Sequence, residues 1–251
     1  MSGLIKLFSD NLLSLELSNG SWASTIVLPT VVLPISGDVL SSDVPGYGMN
    51  LGTTTMQNII LQSYAGVGVH GTDFAANLQI APDVFGTPGS HGSDGAAVVV
   101  FSGNLLPSKA APGFNTTSPV VVNPTSPPAL SETVSAGTNL AAGTYTVGYT
   151  CTNSLGETLM SPVSTISIAA GSSIHVGAIS LLTNSTGINY YMCLVPGLTD
   201  LYLAGSNSGA AAIDLVYPNG FFRFWMRQDV NSGDPTGVYQ GQIQLTATDI
   251  G

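Results

Sequence analysis

Ala141-Ala-Gly-Thr-Tyr-Thr-Val-Gly-Tyr-Thr-Cys-Thr-Asn-Ser-Leu-Gly-Glu-Thr-Leu-Met-Ser-Pro162 is the stretch that decides the fold. In it, Tyr145, Val147 and Tyr149 share one face of an extended chain, and Thr144, Thr146 and Thr150 share the other. A period of two marks a half-buried strand. The small residues before Thr144 form a turn that feeds the strand, and Gly156-Glu157 closes a hairpin. Met160-Ser-Pro162 marks an edge or a bend, because proline cannot donate to a strand ladder. All of this forms fold, and none of it carries chemistry.

Outward from this stretch the same grammar repeats. Short β-rich runs appear at Trp22–Leu28, Thr30–Ile35, Asn58–Ser63, Asn77–Ala81, Ala96–Ser102, Val163–Ala169, Ile188–Val195, Ala210–Val216, Phe221–Arg227 and Gln240–Thr248, punctuated by 30 Gly and 15 Pro. Many short strands between turn residues predict an all-β chain of sandwich or barrel type. A 3.6-residue apolar stripe is confined to residues 3–13, so Leu4-Ile-Lys-Leu-Phe8 is expected to be a short helical arm reaching a neighbouring subunit. Pro107 to Pro128 holds six prolines, and residues 107–129 are read as an extended linker. Residues 130–217 then suit an Ig-like β-sandwich in length and strand number. The tail, 218–251, is too short for a core of its own. Its apolar Phe221-Phe-Arg-Phe-Trp-Met226 and its alternating Gln242-Ile-Gln-Leu-Thr-Ala247 flank a turn at Gly233-Asp-Pro-Thr-Gly237. This hairpin needs a partner sheet. Residues 1–106 and 218–251 are therefore expected to form one composite β-sandwich or barrel domain that anchors the molecule, with the Ig-like block inserted in it.

Charge narrows the function. Lys plus Arg number 4 against 14 Asp plus Glu, a net charge of −10, and charged residues make up 7% of the chain, where soluble domains average about 25%. Lys6, Lys109, Arg223 and Arg227 are too few to neutralise a nucleic-acid backbone or bind an anionic membrane. No apolar run is long enough for a spanning helix, and the first ten residues do not read as a signal peptide. Ser, Thr, Asn and Gly replace the missing charge, which predicts a surface that faces other subunits.

His70-Gly-Thr-Asp73 and His91-Gly-Ser-Asp94 repeat a pattern able to supply two His and two Asp to a metal, but the same residues are ordinary turn chemistry. His70-Gly71-Thr72 also matches the histidine motif of subtilisin-like proteases, but the nucleophile segment of that family is missing. Asp38, Asp73, Asp83 and Asp94 lack the spacing of a calcium loop. Glu132 and Glu157 are the carboxylates available for glycoside chemistry beyond the first strands. Trp22, Phe221, Phe222, Phe224 and Trp225 either stack on a sugar or fill a core, and alternation favours the core. Arg223 and Arg227 are expected to pair with Asp229 or with a neighbouring subunit. No catalytic residue, metal ligand or cofactor is assigned, and the chain is expected not to be an enzyme.

The stretch 141–162, followed by Ala169-Ala-Gly-Ser-Ser-Ile174 and Thr186-Gly-Ile-Asn-Tyr-Tyr-Met192, resembles the Ig/fibronectin-III-like modules embedded in tailed-phage virion proteins. The likeness covers about a quarter of the chain, and bacterial surface proteins carry similar modules. Thr236-Gly-Val-Tyr-Gln-Gly-Gln-Ile-Gln-Leu-Thr-Ala-Thr248 resembles a terminal strand pair of bacterial and phage β-sandwich proteins. The resemblance implies a phage virion structural protein. A capsid decoration (cement) protein is expected, assembled in the host cytoplasm and bound on the capsid surface to the major capsid protein or another virion protein. A homo-oligomer is expected, a trimer included, with no nucleic acid and no membrane. A tail or fibre component and a carbohydrate-binding adhesin are the alternatives. In such a module Cys151 and Cys193 either pair between strands or stay free as small buried groups, and cytoplasmic assembly favours free thiols.

Overall fold

A computed structural model describes residues 5–9, 37–64, 70–109, 121–134, 140–216, 219–236 and 241–250. The expected strands at Trp22–Leu28 and Thr30–Ile35, and Trp22 itself, lie outside the described residues. The molecule is all-β. The chain divides into unit 1, Met1–Pro107 with Phe222–Gly251, and unit 2, Ser108–Phe221. Unit 1 opens with β1 (Ile5–Phe8), β2 (Asp38–Leu40), β3 (Val44–Asn50) and β4 (Met56–Tyr64). A helix, α1 (Gly71–Asn77), precedes β5 (Leu78–Val84), β6 (Thr87–Pro88) and β7 (Val98–Phe101). Unit 2 carries β8 (Leu130–Val134), β9 (Gly143–Asn153), β10 (Gly156–Glu157), β11 (Ser164–Ile168), β12 (Ser172–Val176), β13 (Gly187–Cys193), β14 (Leu201–Asn207) and β15 (Ile213–Leu215). The chain then returns to unit 1 as β16 (Phe221–Asn231) and β17 (Gln242–Asp249).

Unit 1 stacks two sheets on one core. One sheet runs β1-β3-β16-β5-β6, with β2 also on β16; the other runs β17-β4-β7. Ile59, Leu61, Leu78, Ile80, Phe222, Phe224 and Met226 fill the space between them. In β16 the even-numbered residues Phe222, Phe224 and Met226 point into this core, while Arg223, Trp225 and Arg227 take the other face. Each buried Phe contributes about 1.5–3 kcal/mol relative to exposure. The neighbouring strand β3 makes room for these rings with glycine. A Cβ on Gly48 would stand 2.1 Å from Phe222 Cζ, and one on Gly46 would stand 2.3 Å from Phe224 Cζ.

Three expectations for this unit are corrected. Residues 5–8 are not a helical arm but strand β1, which pairs Ile5 with Asn50 and Phe8 with Tyr47. Ile5 and Leu7 pack against the unit's own core, so the apolar stripe serves an internal contact. The tail is not a hairpin: β16 lies between β3 and β5, while β17 pairs with β4 in the other sheet. Ile243, Leu245 and Ala247 reach the shared core from the opposite side, so the tail ties both sheets together. His70-Gly-Thr-Asp73, expected to be a turn, instead begins α1.

Unit 2 is also a two-sheet structure, with β10-β9-β13-β14 and β11 in one sheet and β15-β12-β8 in the other. Tyr145, Val147, Tyr149 and Cys151 of β9 face a core completed by Ile174, Val176, Ile188, Tyr190, Met192 and Leu215. Between β10 and β11 the chain bends past Pro162. There Thr158 and Ser161 supply hydroxyls as backbone substitutes: Thr158 Oγ1 accepts the Cys151 N–H at 3.0 Å and Ser161 Oγ accepts that of Tyr149 at 3.0 Å. The Cys151 and Tyr149 N–H groups are thereby satisfied where the chain bends. The expected linker 107–129 is corrected at its described end. Val121 is fully buried in this core, Asn123 Oδ1 accepts the Leu159 N–H at 3.0 Å, and the Pro128 carbonyl accepts the Ser164 hydroxyl at 2.6 Å. Proline there shapes a packed extended segment that needs few donors of its own.

Candidate functional site

The two His-Gly-(Ser/Thr)-Asp motifs do not converge. His70 stands at the start of α1 with a left-handed φ of 49°, its Nδ1 3.6 Å from Asp73 Oδ2 one turn on. His91 instead meets Asp43, Nε2 to Oδ1 at 2.6 Å, and Asp94 accepts a hydrogen bond from Gln79 Nε2 at 2.7 Å. Among the described residues no group of three or more His, Cys, Asp or Glu is placed to hold a metal.

Asp83 is committed elsewhere. β5 and β16 run antiparallel with Pro82 opposite Phe224, which sets Asp83 across from Arg223. Arg223 donates from Nε at 2.7 Å and from Nη2 at 3.1 Å, and Trp225 Nε1 donates to the same carboxylate at 2.7 Å. The pair is nearly dry: the side chains of Asp83 and Arg223 are 7% and 13% exposed. Arg223 also lies 5.8 Å from the Trp225 ring centroid. The expected Arg223–Asp229 pairing is therefore corrected. Arg227 donates to Gln79 Oε1 at 2.7 Å. Phe222 and Phe224 belong to the core and do not form a stacking platform.

One end of unit 1 gathers carboxylates. Burial raises the Asp229 pKa, and Asp94, Asp38 and Asp234 add to the rise while Arg227 opposes it. Asp229 Oδ1 is buried without a hydrogen-bond partner. In unit 2, Glu157 accepts from the Thr150 hydroxyl at 2.8 Å and the Tyr191 hydroxyl at 2.7 Å, and it pairs with Lys109. Burial pushes the Lys109 amine down. Glu132 accepts the Ala169 N–H at 2.7 Å, and a hydrogen bond from Ser172, then that from Ala169, lowers its pKa. Glu157 and Glu132 thus hold different loops and do not form a carboxylate pair. No sequence signal announced Lys109–Glu157 or Asp43–His91, because each pair lies 48 residues apart in the chain.

Cys151 and Cys193 are free and buried. They lie on adjacent strands, but Cys151 is opposite Ile188, five residues from Cys193. That offset is about 17 Å along a strand, far beyond disulfide reach. Cys193 Sγ accepts the Thr146 N–H at 3.3 Å, and burial raises both thiol pKa values.

What the surface offers is area. Large apolar side chains stand exposed on both units, among them Val39, Leu40, Phe85 and Ile250 in unit 1 and Val122, Val134 and Leu155 in unit 2, with Val134 at 90% and Val122 at 70%. Phe85 holds a positive φ of 51° beside Gly86 at the tip of the β5–β6 hairpin. The β17-β4-β7 sheet contains a single charged residue, Asp249. Such a surface is suited to contacts that bury apolar area or pair backbone groups. No protein-family model matches the chain, and no curated protein or solved structure is significantly similar to it.

Proposed function

We propose that this chain is a structural protein of a virus-like particle, a capsid decoration protein that adheres to the major capsid protein as a homo-oligomer. The observation that carries the reading is a surface poor in charge and studded with large exposed apolar side chains. A solitary soluble protein rarely presents such a surface, whereas an adherent one uses it for contact. The insertion of unit 2 within unit 1 supports a division of labour in which unit 1 anchors and unit 2 is the presented module. Attachment would draw on area and on repetition over a symmetric shell, with few ion pairs.

The test is direct. The purified chain is mixed with undecorated shells of a candidate phage, sedimented, and the shells imaged by electron cryomicroscopy. The expected result is co-sedimentation at saturating stoichiometry with density at symmetry-related sites. A chain that stays in the supernatant, or that occurs in a few copies on the tail alone, overturns the decoration reading.

A further inference from the structure

We infer that β17 is a self-association edge, along which a second copy of the chain adds its own β17 antiparallel, joining two three-stranded sheets into one of six strands. On one side β17 pairs with β4 from Gln242 to Asp249. On the other side, among the described residues, no backbone group pairs with it from Gln242 to Thr248. An open row of N–H and C=O groups is a template for another strand.

Among the other sheet edges, β7 on the far side of the same sheet spans only the four residues Val98–Phe101, and β1, β6, β8, β14 and β15 are guarded. β1 carries Lys6 and β6 carries Pro88 at the margins of the six-stranded sheet. In unit 2, β8 carries Glu132 and β15 carries Asp214. On β14, Leu203 donates to the Lys109 carbonyl at 2.8 Å and accepts from the Asn219 N–H at 2.7 Å. Charge, proline and covering backbone are the usual devices against edge pairing. β17 has no Lys and no Pro, and it is the longest of these edge strands. The irregularity in its pairing with β4 lies beside Asn58, which holds a φ of 49° and takes up the extra residue within β4. β17 itself stays extended.

Charge argues for a second copy as the occupant. Two chains of net charge −10 repel, so they meet where the charge is least, and the β17-β4-β7 sheet carries Asp249 alone. A twofold axis at Leu245 sets Gln244 opposite Thr246 of the partner copy. It holds the two Asp249 carboxylates about 27 Å apart along the strands, well past a screening length of about 8–10 Å. A basic foreign strand would find Asp249 as its single counter-charge on this sheet. The twofold uses the same edge on both copies, so the association closes at two.

This inference deepens the oligomeric part of the proposed function, and its test needs no particle. Gln244 and Thr246 are exposed on the outer face of β17. With the axis anywhere from Gln244 to Thr246, a register that keeps this face aligned brings these positions opposite their own copies or each other, so Q244K/T246K sets like charges together and Q244E/T246E does the same with the opposite sign. Sedimentation equilibrium of the full chain is expected to show a concentration-dependent dimer. Each double variant should dissociate roughly tenfold more readily, and an equimolar mixture of the two should regain natural affinity. Circular dichroism and thermal unfolding of each variant, expected to be unchanged, separate this from misfolding. A natural chain that stays monomeric at every concentration overturns the inference, as does a lysine variant that dimerises undiminished or a mixture that fails to recover. A dimer that forms in a chain unable to attach to shells sinks the particle reading and upholds this one.

Discussion

At the scale of single residues, the Asp83–Arg223–Trp225 node is the most consequential polar feature of unit 1. Its carboxylate is almost fully buried and receives two bonds from Arg223 and one from Trp225. Removing the guanidinium leaves an uncompensated charge in a dry site, which typically costs about 3–5 kcal/mol. R223M is therefore expected to lower the unfolding free energy of unit 1 by that amount, read as a lower urea midpoint at unchanged m-value. The double variant R223M/D83L should recover most of the loss, because a buried ion pair and an apolar pair of similar volume are often close in stability.

Asp229 works in the opposite sense. Burial, then Asp94 and Asp38, hold its folded pKa above the ordinary 3.8. The folded state thus binds this proton more tightly than the unfolded chain does. Its contribution to stability falls as pH rises from the unfolded pKa through the raised folded one, and stays unfavourable above that window. D229N is expected to raise the Tm at pH 7, with the gain fading as the pH is lowered through the carboxylate range. A gain that persists undiminished at pH 3 would show that ionisation is not the cause.

At the scale of elements, β9 and β13 explain the thiols. Two adjacent strands carry Cys151 and Cys193 with an offset that no side chain spans. Both thiols are free, buried and shifted upward by desolvation. The expected outcome is negligible reaction with a thiol reagent in the native state at neutral pH and two thiols per chain after unfolding. Added reductant should leave the Tm unchanged. β3 shows what element-level reading lacks. Val44-Pro-Gly-Tyr-Gly-Met-Asn50 scores as a weak strand because Pro and Gly are depleted in strands, yet it pairs with β1 on one side and neighbours β16 on the other. Its glycines are matched to Phe222 and Phe224, more than 170 residues later in the chain.

At the scale of the whole molecule, unit 2 enters and leaves at one place. A Cβ on Gly220 would stand 2.7 Å from the Ser108 amide nitrogen, and Lys109 and Asn219 both bond to Leu203. Unit 2 also has a core of its own. Residues 108–221 expressed alone are therefore expected to unfold cooperatively and to show strand-type circular dichroism. A broad, non-cooperative melt would show that the unit depends on the rest of the chain.

The all-β class was legible because it rests on local pattern. The alternation of Tyr145, Val147 and Tyr149, the alternation of Ile243, Leu245 and Ala247, and the steady spacing of Gly and Pro are carried by neighbours in sequence. The need of the tail for a partner sheet could also be read, since its apolar content exceeds what so short a segment buries. Its division between two sheets could not, because alternation states which face is buried and not which strand lies beside it. The pairing of Asp83 with Arg223, of His91 with Asp43 and of Glu157 with Tyr191 was equally invisible. Such pairs depend on register between distant strands, and register is decided by how the whole core closes. Local sequence determined most strands and their faces, β1 and β3 excepted; only the tertiary structure decided neighbours, because a strand's hydrogen-bonding edges are the same backbone whatever its side chains.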